Sequence, residues 1–248
     1  MNYVLRAMAI GLLALAATFP GAGAASGADS GYRLDLARRG DFVAQTNLVQ
    51  CVGASMQMML NMVRPVNDAT ARTQFRLQTL ARSLSPSRPD GRVRLGASVV
   101  GWSAGLNELG VGPYELIGTT TIDEALRLAA IAIRDTGKPV GLLMWQGRHA
   151  WVMSGFRATA DPSTNADFRV NGVSVLDPLY PRGSGRWGAS PRPGQLLSVA
   201  ELGRQFVPRR RGADAAQWLA GFAGMYVIVA PYRVSQRPVD RPWHFTAI

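Results

Sequence analysis

Cys51 is the only cysteine in 248 residues, so no disulfide can form within the chain and burial of apolar surface has to hold the fold. The length suffices for one medium domain with a core of its own. Hydrophobic residues make up 47% of the chain and charged residues 17%, a balance that excludes general disorder. No internal repeat is visible, and no apolar run reaches the roughly 18 residues a membrane span requires.

The first segment reads as an address rather than as part of the fold. Arg6 supplies a positive start, 7–19 is an apolar run, Pro20 and Gly21 break it, and Ala22-Gly23-Ala24 offers small residues for cleavage. That is the pattern of a secretory signal peptide over 1–24, with the mature protein starting near Ala25 in a periplasm or outside the cell. Once the signal is removed, nothing is expected to insert stably in a membrane. Residues 25–40, rich in Gly, Ala and Ser, read as a flexible lead, and 233–248 reads as a C-terminal tail. The domain is expected over 41–232, with no linker dividing it.

The formal charge is +11, and Arg6 is the one charged residue in 1–24, so the remainder carries +10. The basic residues are arginines except Lys138, which points to base composition rather than to a nucleic-acid surface. They are scattered, and the one tight run, Arg209-Arg210-Arg211, reads as a solvated loop. The charge fits attraction to anionic surfaces or acidic partners.

Helical patterns come first along the chain. Val52, Met56, Met59 and Val63 share one face of a helix that starts near Cys51 and ends at Arg64-Pro65. Asp68 is placed to cap a second helix, with Thr73, Leu77, Leu80 and Leu84 on one face and Pro86 as its stop. A third is expected over 98–109, closed by Gly110. A fourth opens with the capping box of Thr121 and Glu124 and ends at Gly137. The character then changes to strands, expected over 139–145, 149–156, 168–177 (with Asn171-Gly172 as a possible turn) and 224–231. A loop rich in Gly, Pro and Arg is expected over 180–195, and Ser198 with Glu201 makes a second capping box. Helices followed by mostly antiparallel strands make an α+β domain.

A lone thiol in an oxidising compartment is either buried and inert or kept for its reactivity. Thiol hydrolysis needs a thiolate, an imidazole, a group to orient that imidazole, and donors for an oxyanion. Cys51 sits at a helix start, where an anion is favoured, and is followed by the small residues Gly53, Ala54 and Ser55. Gln45, six residues earlier, can turn an amide N–H toward an oxyanion, with the Cys51 backbone N–H as the second donor. Of the two histidines, His244 lies in the tail, whereas His149 opens a strand, after a turn through Gly147 and Arg148, where its ring can reach a rim. Asp177 ends the next apolar run and can orient the imidazole; an Asp before a Pro is also a common turn starter.

The run Gln45-Thr46-Asn47-Leu48-Val49-Gln50-Cys51-Val52-Gly53-Ala54-Ser55 resembles the nucleophile motif of papain-like cysteine peptidases, and most resembles the bacterial C39-like group. His149-Ala150-Trp151-Val152-Met153-Ser154-Gly155-Phe156 is similar to that group's histidine strand, and Val175-Leu176-Asp177-Pro178 to its Asp-Pro segment. The order Gln, Cys, His, Asp is the group's order. The chain departs from the pattern where Val52-Gly53 stands in place of Gly-Pro, and in the 28-residue interval from His149 to Asp177, which an insertion around 161–167 explains. The resemblance implies a papain-like fold, with a central nucleophile helix packed on a small antiparallel sheet. It also implies a secreted cysteine hydrolase, a peptidase acting on peptide or protein substrates through Cys51, His149 and Asp177, with Gln45 at the oxyanion. The same motifs accommodate a cell-wall peptide amidase, an acyl transferase of the Cys-His type, or an inactive domain that binds through the same fold. No cofactor is implied, and one Cys with two distant His makes a poor zinc set. No nucleic-acid partner is expected.

Overall fold

The computed structural model describes residues 31–88, 90–210 and 221–232; the expected signal peptide at 1–24 and tail at 233–248 lie outside the described residues. The order of elements is β1 (Tyr32–Asp35), α1 (Cys51–Val63), α2 (Ala71–Ser83), α3 (Val99–Glu108), β2 (Tyr114–Thr119), α4 (Ile122–Thr136), β3 (Val140–Met144), β4 (His149–Ala158), β5 (Val170–Leu176), β6 (Gly183–Ser184), β7 (Gly188–Ala189), β8 (Gln195–Ser198), α5 (Val199–Gly203) and β9 (Tyr226–Pro231). Helices and an antiparallel sheet together make a mixed α/β domain. Among the described residues no helix is long and apolar enough to cross a membrane.

Among the described residues seven strands form the main sheet, in the order β2-β9-β3-β4-β5-β8, with β1 added on β4. The ten-residue β4 is long enough to take two neighbours along one edge. β3 pairs with its first half, from Met144↔His149 to Val140↔Met153, and β1 with its second, from Asp35↔Gly155 to Tyr32↔Ala158. Gly155 sits at the changeover. A Cβ there would lie 2.3 Å from the Leu34 carbonyl oxygen, so only glycine lets β1 approach this closely. The segment expected to be a flexible lead is therefore a sheet strand from Tyr32 onward. Its alternation is too short, and too polar at Arg33 and Asp35, to stand out from a Gly/Ser-rich approach.

α1 is buried on every side from Val52 to Met62, rather than along the one expected face. A helix enclosed all round is a core helix. It lies between α2, α3 and β4, and Ser55 ties it to the sheet by donating to the Ala150 carbonyl at 3.3 Å. The other sheet face is filled by α4, whose Ala125, Leu126, Ala129, Ala130 and Ile133 pack on Leu142, Trp151, Val175 and Ile228.

The stops and caps follow local chemistry. Ser98 caps α3 by accepting from Gly101 N–H, Thr121 caps α4 by accepting from Glu124 N–H, and Gly137 ends α4 at φ 64°. Ser198 and Glu201 close the full capping box of α5. α2 departs from expectation twice. Its cap is Thr70, with Asp68 bracing that cap by accepting from the Thr70 N–H and hydroxyl at 2.8 Å. Its buried face carries Gln74, Leu77, Gln78 and Ala81 rather than an unbroken apolar row. Asn171-Gly172 is no turn: both residues lie inside β5, Gly172 pairing with Arg157 on one side and Ser198 on the other. The expected loop over 180–195 contains the small β6–β7 hairpin.

Candidate active site

The first residue of α1 is Cys51, half-buried and free. The N-cap residue, Gln50, makes no side-chain cap bond. The N-cap side chain thus does not compete with Cys51 for the positive end of the helix. Two buried glutamines of α2 hold the approach to it. Gln78 accepts from Gly53 N–H and donates to the Val49 carbonyl, each at 2.9 Å, and so clamps the turn on both sides of Cys51. Gln74 accepts from Thr46 N–H at 2.8 Å and donates to the Ala44 carbonyl at 3.0 Å. Gly53 is required by this arrangement, because a Cβ there would lie 2.8 Å from the Gln74 carbonyl oxygen and 2.9 Å from Gln78 Cβ.

His149 opens β4 immediately after a turn through 145–148. Trp145 and Gln146 both take left-handed backbone conformations, at φ 55° and 59°, which non-glycine residues seldom adopt. The turn is held from outside. Trp145 donates its backbone N–H to the Gln205 carbonyl at 3.0 Å and its indole N–H to Gln205 Oε1 at 2.9 Å, and Arg210 N–H donates to the Gln146 carbonyl at 3.2 Å. Trp145 then stacks on the imidazole, centroids 4.1 Å apart at 23°. The expected rim position is consequently a covered one, with His149 only 4% exposed.

Asp177 follows β5 and is fully buried. Its Oδ1 is 2.7 Å from His149 Nε2 and also accepts from Leu179 N–H at 2.8 Å. The long interval between them is a loop after β4, closed by Arg134 on Asp161 with two contacts at 2.9 and 3.0 Å. That loop leaves the β4–β5 pairing that brings Asp177 to the ring intact. Cys51 lines one cavity with the same ring and lies close enough to bear on its protonation. With Nε2 engaged by Asp177, Nδ1 is the nitrogen left for the sulfur. Burial works against a charged imidazole, but the hydrogen bonds and charges of Asp177 and Cys51 outweigh it and push His149 up to about 9.

The structure therefore brings Cys51, His149 and Asp177 together at one site. Gln45 is placed differently. Its backbone N–H donates to the Pro178 carbonyl at 2.7 Å, next to Asp177, and its side-chain Nε2 donates to the Asn47 carbonyl at 2.8 Å. It links the Asp177 segment to the turn before Cys51, and its contacts run to neighbours of the three residues rather than to their reacting atoms. One amide hydrogen is committed to Asn47, and the second remains available.

A cavity of about 100 Å³ opens beside Cys51 and His149, with Trp102, Arg94, Arg148 and Arg209 among its walls. Arg209, expected in a solvated loop, packs its side chain against the Gly147 turn instead. Sequence reasoning missed Gln74, Gln78 and Trp145. The two glutamines are four residues apart, on the face of α2 that also carries Leu77, and that spacing was their one signal. Among the described residues no group of three or more His, Cys, Asp or Glu side chains is placed to hold a metal ion. No family model matches the chain, and no curated protein or solved structure matches it.

Proposed function

We propose that this chain is a cysteine hydrolase of papain-like fold, acting on peptide or amide bonds in peptides or proteins. The observation that carries the reading is that Cys51, at the head of a buried helix, shares a cavity with His149, whose ring is held by the buried Asp177. A lone thiol held by a fully packed core needs no imidazole against it, and an imidazole in such a core needs no charged partner at 2.7 Å.

In this reading Cys51 attacks the carbonyl carbon as the thiolate, with the proton on His149. His149 gives that proton to the leaving amine as the tetrahedral species collapses to a thioester. A water molecule, deprotonated by His149, then attacks the thioester and releases the acid and the Cys51 thiol. Asp177 fixes the ring tautomer and supports the imidazolium, while Trp145 holds the ring plane. The Cys51 backbone N–H and the remaining Gln45 amide hydrogen are the assigned oxyanion donors. Resemblance at the three motifs and the enclosed nucleophile helix support the papain-like assignment.

The test is product analysis on a casein digest and on purified muropeptides, with and without added hydroxylamine. Cleavage that disappears in Cys51→Ala and in His149→Ala is expected. Cleavage by either variant at the wild-type rate would overturn the reading. Cleavage confined to muropeptides would narrow it to a cell-wall amidase, and hydroxamate formation outrunning hydrolysis would make the enzyme an acyl transferase. Export is part of the same proposal and rests on the segment at 1–24. N-terminal sequencing from the native host should return a start near Ala25.

A further inference from the structure

Among the described residues, three arginines face the cavity beside Cys51 and none of those lining it is acidic. Arg94 comes from the segment before α3, Arg148 immediately precedes His149, and Arg209 comes from the segment after α5. Convergence of three separate segments on one small space is unlike a run of solvated surface charge.

Arg94 is half-buried, and its Nε is buried with no hydrogen-bond partner among the described residues. Burial, with the Arg88 charge adding to it, pulls the Arg94 guanidinium below its ordinary value, and burial does the same to Arg209. Asp90, the acid whose charge reaches Arg94, is already taken by Arg88 in a two-point contact at 2.9 and 2.6 Å. Arg92 lines an adjoining cleft together with Arg94. The Arg94 and Arg148 charges, brought together at a partly dry wall, favour an incoming anion there. The guanidinium fork matches a carboxylate in shape as well as in charge.

Size selects among anions. The cavity of about 100 Å³ exceeds the ~10–15 Å³ that one water requires and falls short of the ~300 Å³ at which ordinary small-molecule sites begin. One carboxylate-bearing group fits that range.

We propose that this cavity is a specificity site for a carboxylate carried by the substrate next to the bond that Cys51 attacks. The word substrate rests on the hydrolase reading, whereas the anion site stands on the geometry of the cavity. The carboxylate is supplied either by an acidic side chain or by a free chain end.

The first experiment needs no hydrolysis. Cys51 is alkylated with iodoacetate, which is anionic, and with iodoacetamide, which is neutral and of similar size. The ratio of the two rates is compared in wild type, Arg148→Gln and Arg94→Gln/Arg148→Gln. His149 is present in all three, so a change in the ratio reports the arginines alone. The ratio should fall at least threefold in the double variant, with a smaller fall in Arg148→Gln, and 0.5 M salt should shrink the wild-type ratio. Arg148 is exposed, so the single variant keeps the test decisive if the double variant does not fold. A ratio unchanged in Arg148→Gln and in any folded double variant overturns the site.

The second experiment uses fluorogenic peptides in which Glu or Gln occupies each position flanking the cleaved bond, with free or amidated C-termini. A wild-type preference for Glu over Gln of about tenfold in kcat/KM at one position identifies an acidic side chain, and the same preference for free over amidated ends identifies a chain terminus. Either preference should collapse toward one in the double variant. Equal rates for charged and neutral peptides at all positions and ends overturn the specificity. No cleavage of any peptide, with an arginine-dependent alkylation ratio, refutes the hydrolase reading and leaves the anion site standing.

Discussion

Asp177→Asn keeps the shape of a fully buried side chain and removes its charge. The asparagine oxygen can still accept from Leu179 N–H and from the ring, so the fold around residue 177 should persist. What changes is the proton affinity of His149. Its rise from 6.5 to about 9 corresponds to about 3 kcal/mol favouring the folded, protonated state. This stabilisation is fully present below about pH 6.5, where both folded and unfolded chains carry the proton. Above that the unfolded chain releases its proton while the folded chain keeps it, and the contribution is gone once the pH has risen through about 9. Cys51 shares in the rise, so removing the Asp177 charge should cost a part of that, at most about 3 kcal/mol, at pH 6. Urea unfolding of wild type and variant at fixed ionic strength, from pH 6 to pH 10, reads the difference directly. Other titrating groups cancel in the comparison. The gap between the two proteins should narrow to well under 1 kcal/mol by pH 10. Two stability curves that run parallel across this range would refute the coupling of His149 to Asp177.

Gln45→Ala should lower turnover on the order of 10²-fold or more, with alkylation of Cys51 retained because a simple alkyl halide builds no oxyanion; equal turnover removes Gln45 from the mechanism. Gln78→Ala strands the buried Gly53 N–H and the Val49 carbonyl, so chemical denaturation should show a loss of about 2–4 kcal/mol, and a loss below 0.5 kcal/mol would mean that the turn before Cys51 is held by other contacts. Gly155→Ala drives a methyl group to 2.3 Å from the Leu34 carbonyl oxygen and should destabilise by about 1–3 kcal/mol, most simply seen as faster amide exchange in β1; unchanged exchange there would contradict the β1–β4 pairing.

Much of the fold is legible because local rules and tertiary structure agree. The helix starts at Ser98, Thr121 and Ser198 and the stop at Gly137 were readable, because each is settled by a hydrogen bond or a backbone angle within a few residues. The strands expected over 139–145 and 149–156, found at 140–144 and 149–158, were readable because they are largely buried on both faces and read as apolar runs. β1 and β2 were not. Both depend on a partner far along the chain, β1 on β4 and β2 on β9, and nothing local announces that partner. At the site, Cys51, His149 and Asp177 stood out because each type is scarce or sits at an element's end. Gln74 and Gln78 did not, because a glutamine in a helix is ordinarily solvated, and their role exists only once α2 lies against the segment before Cys51. Arg209 reads as solvated in its basic run, and only the turn at Gly147 brings it to the cavity. The left-handed pair Trp145 and Gln146 was equally invisible, since neither residue type signals that conformation.

The central claim is that the Cys51 sulfur forms a covalent acyl intermediate with His149 as its proton partner, and mass analysis after an acid quench and peptic digestion measures this directly. Wild type mixed with a peptide ester for a few seconds should gain the mass of the acyl group, without the leaving alcohol, on the fragment containing Cys51. His149→Ala should show little or none of that adduct under the same conditions. Turnover of the ester with no mass gained at Cys51, or an adduct that forms equally fast in His149→Ala, would contradict the account.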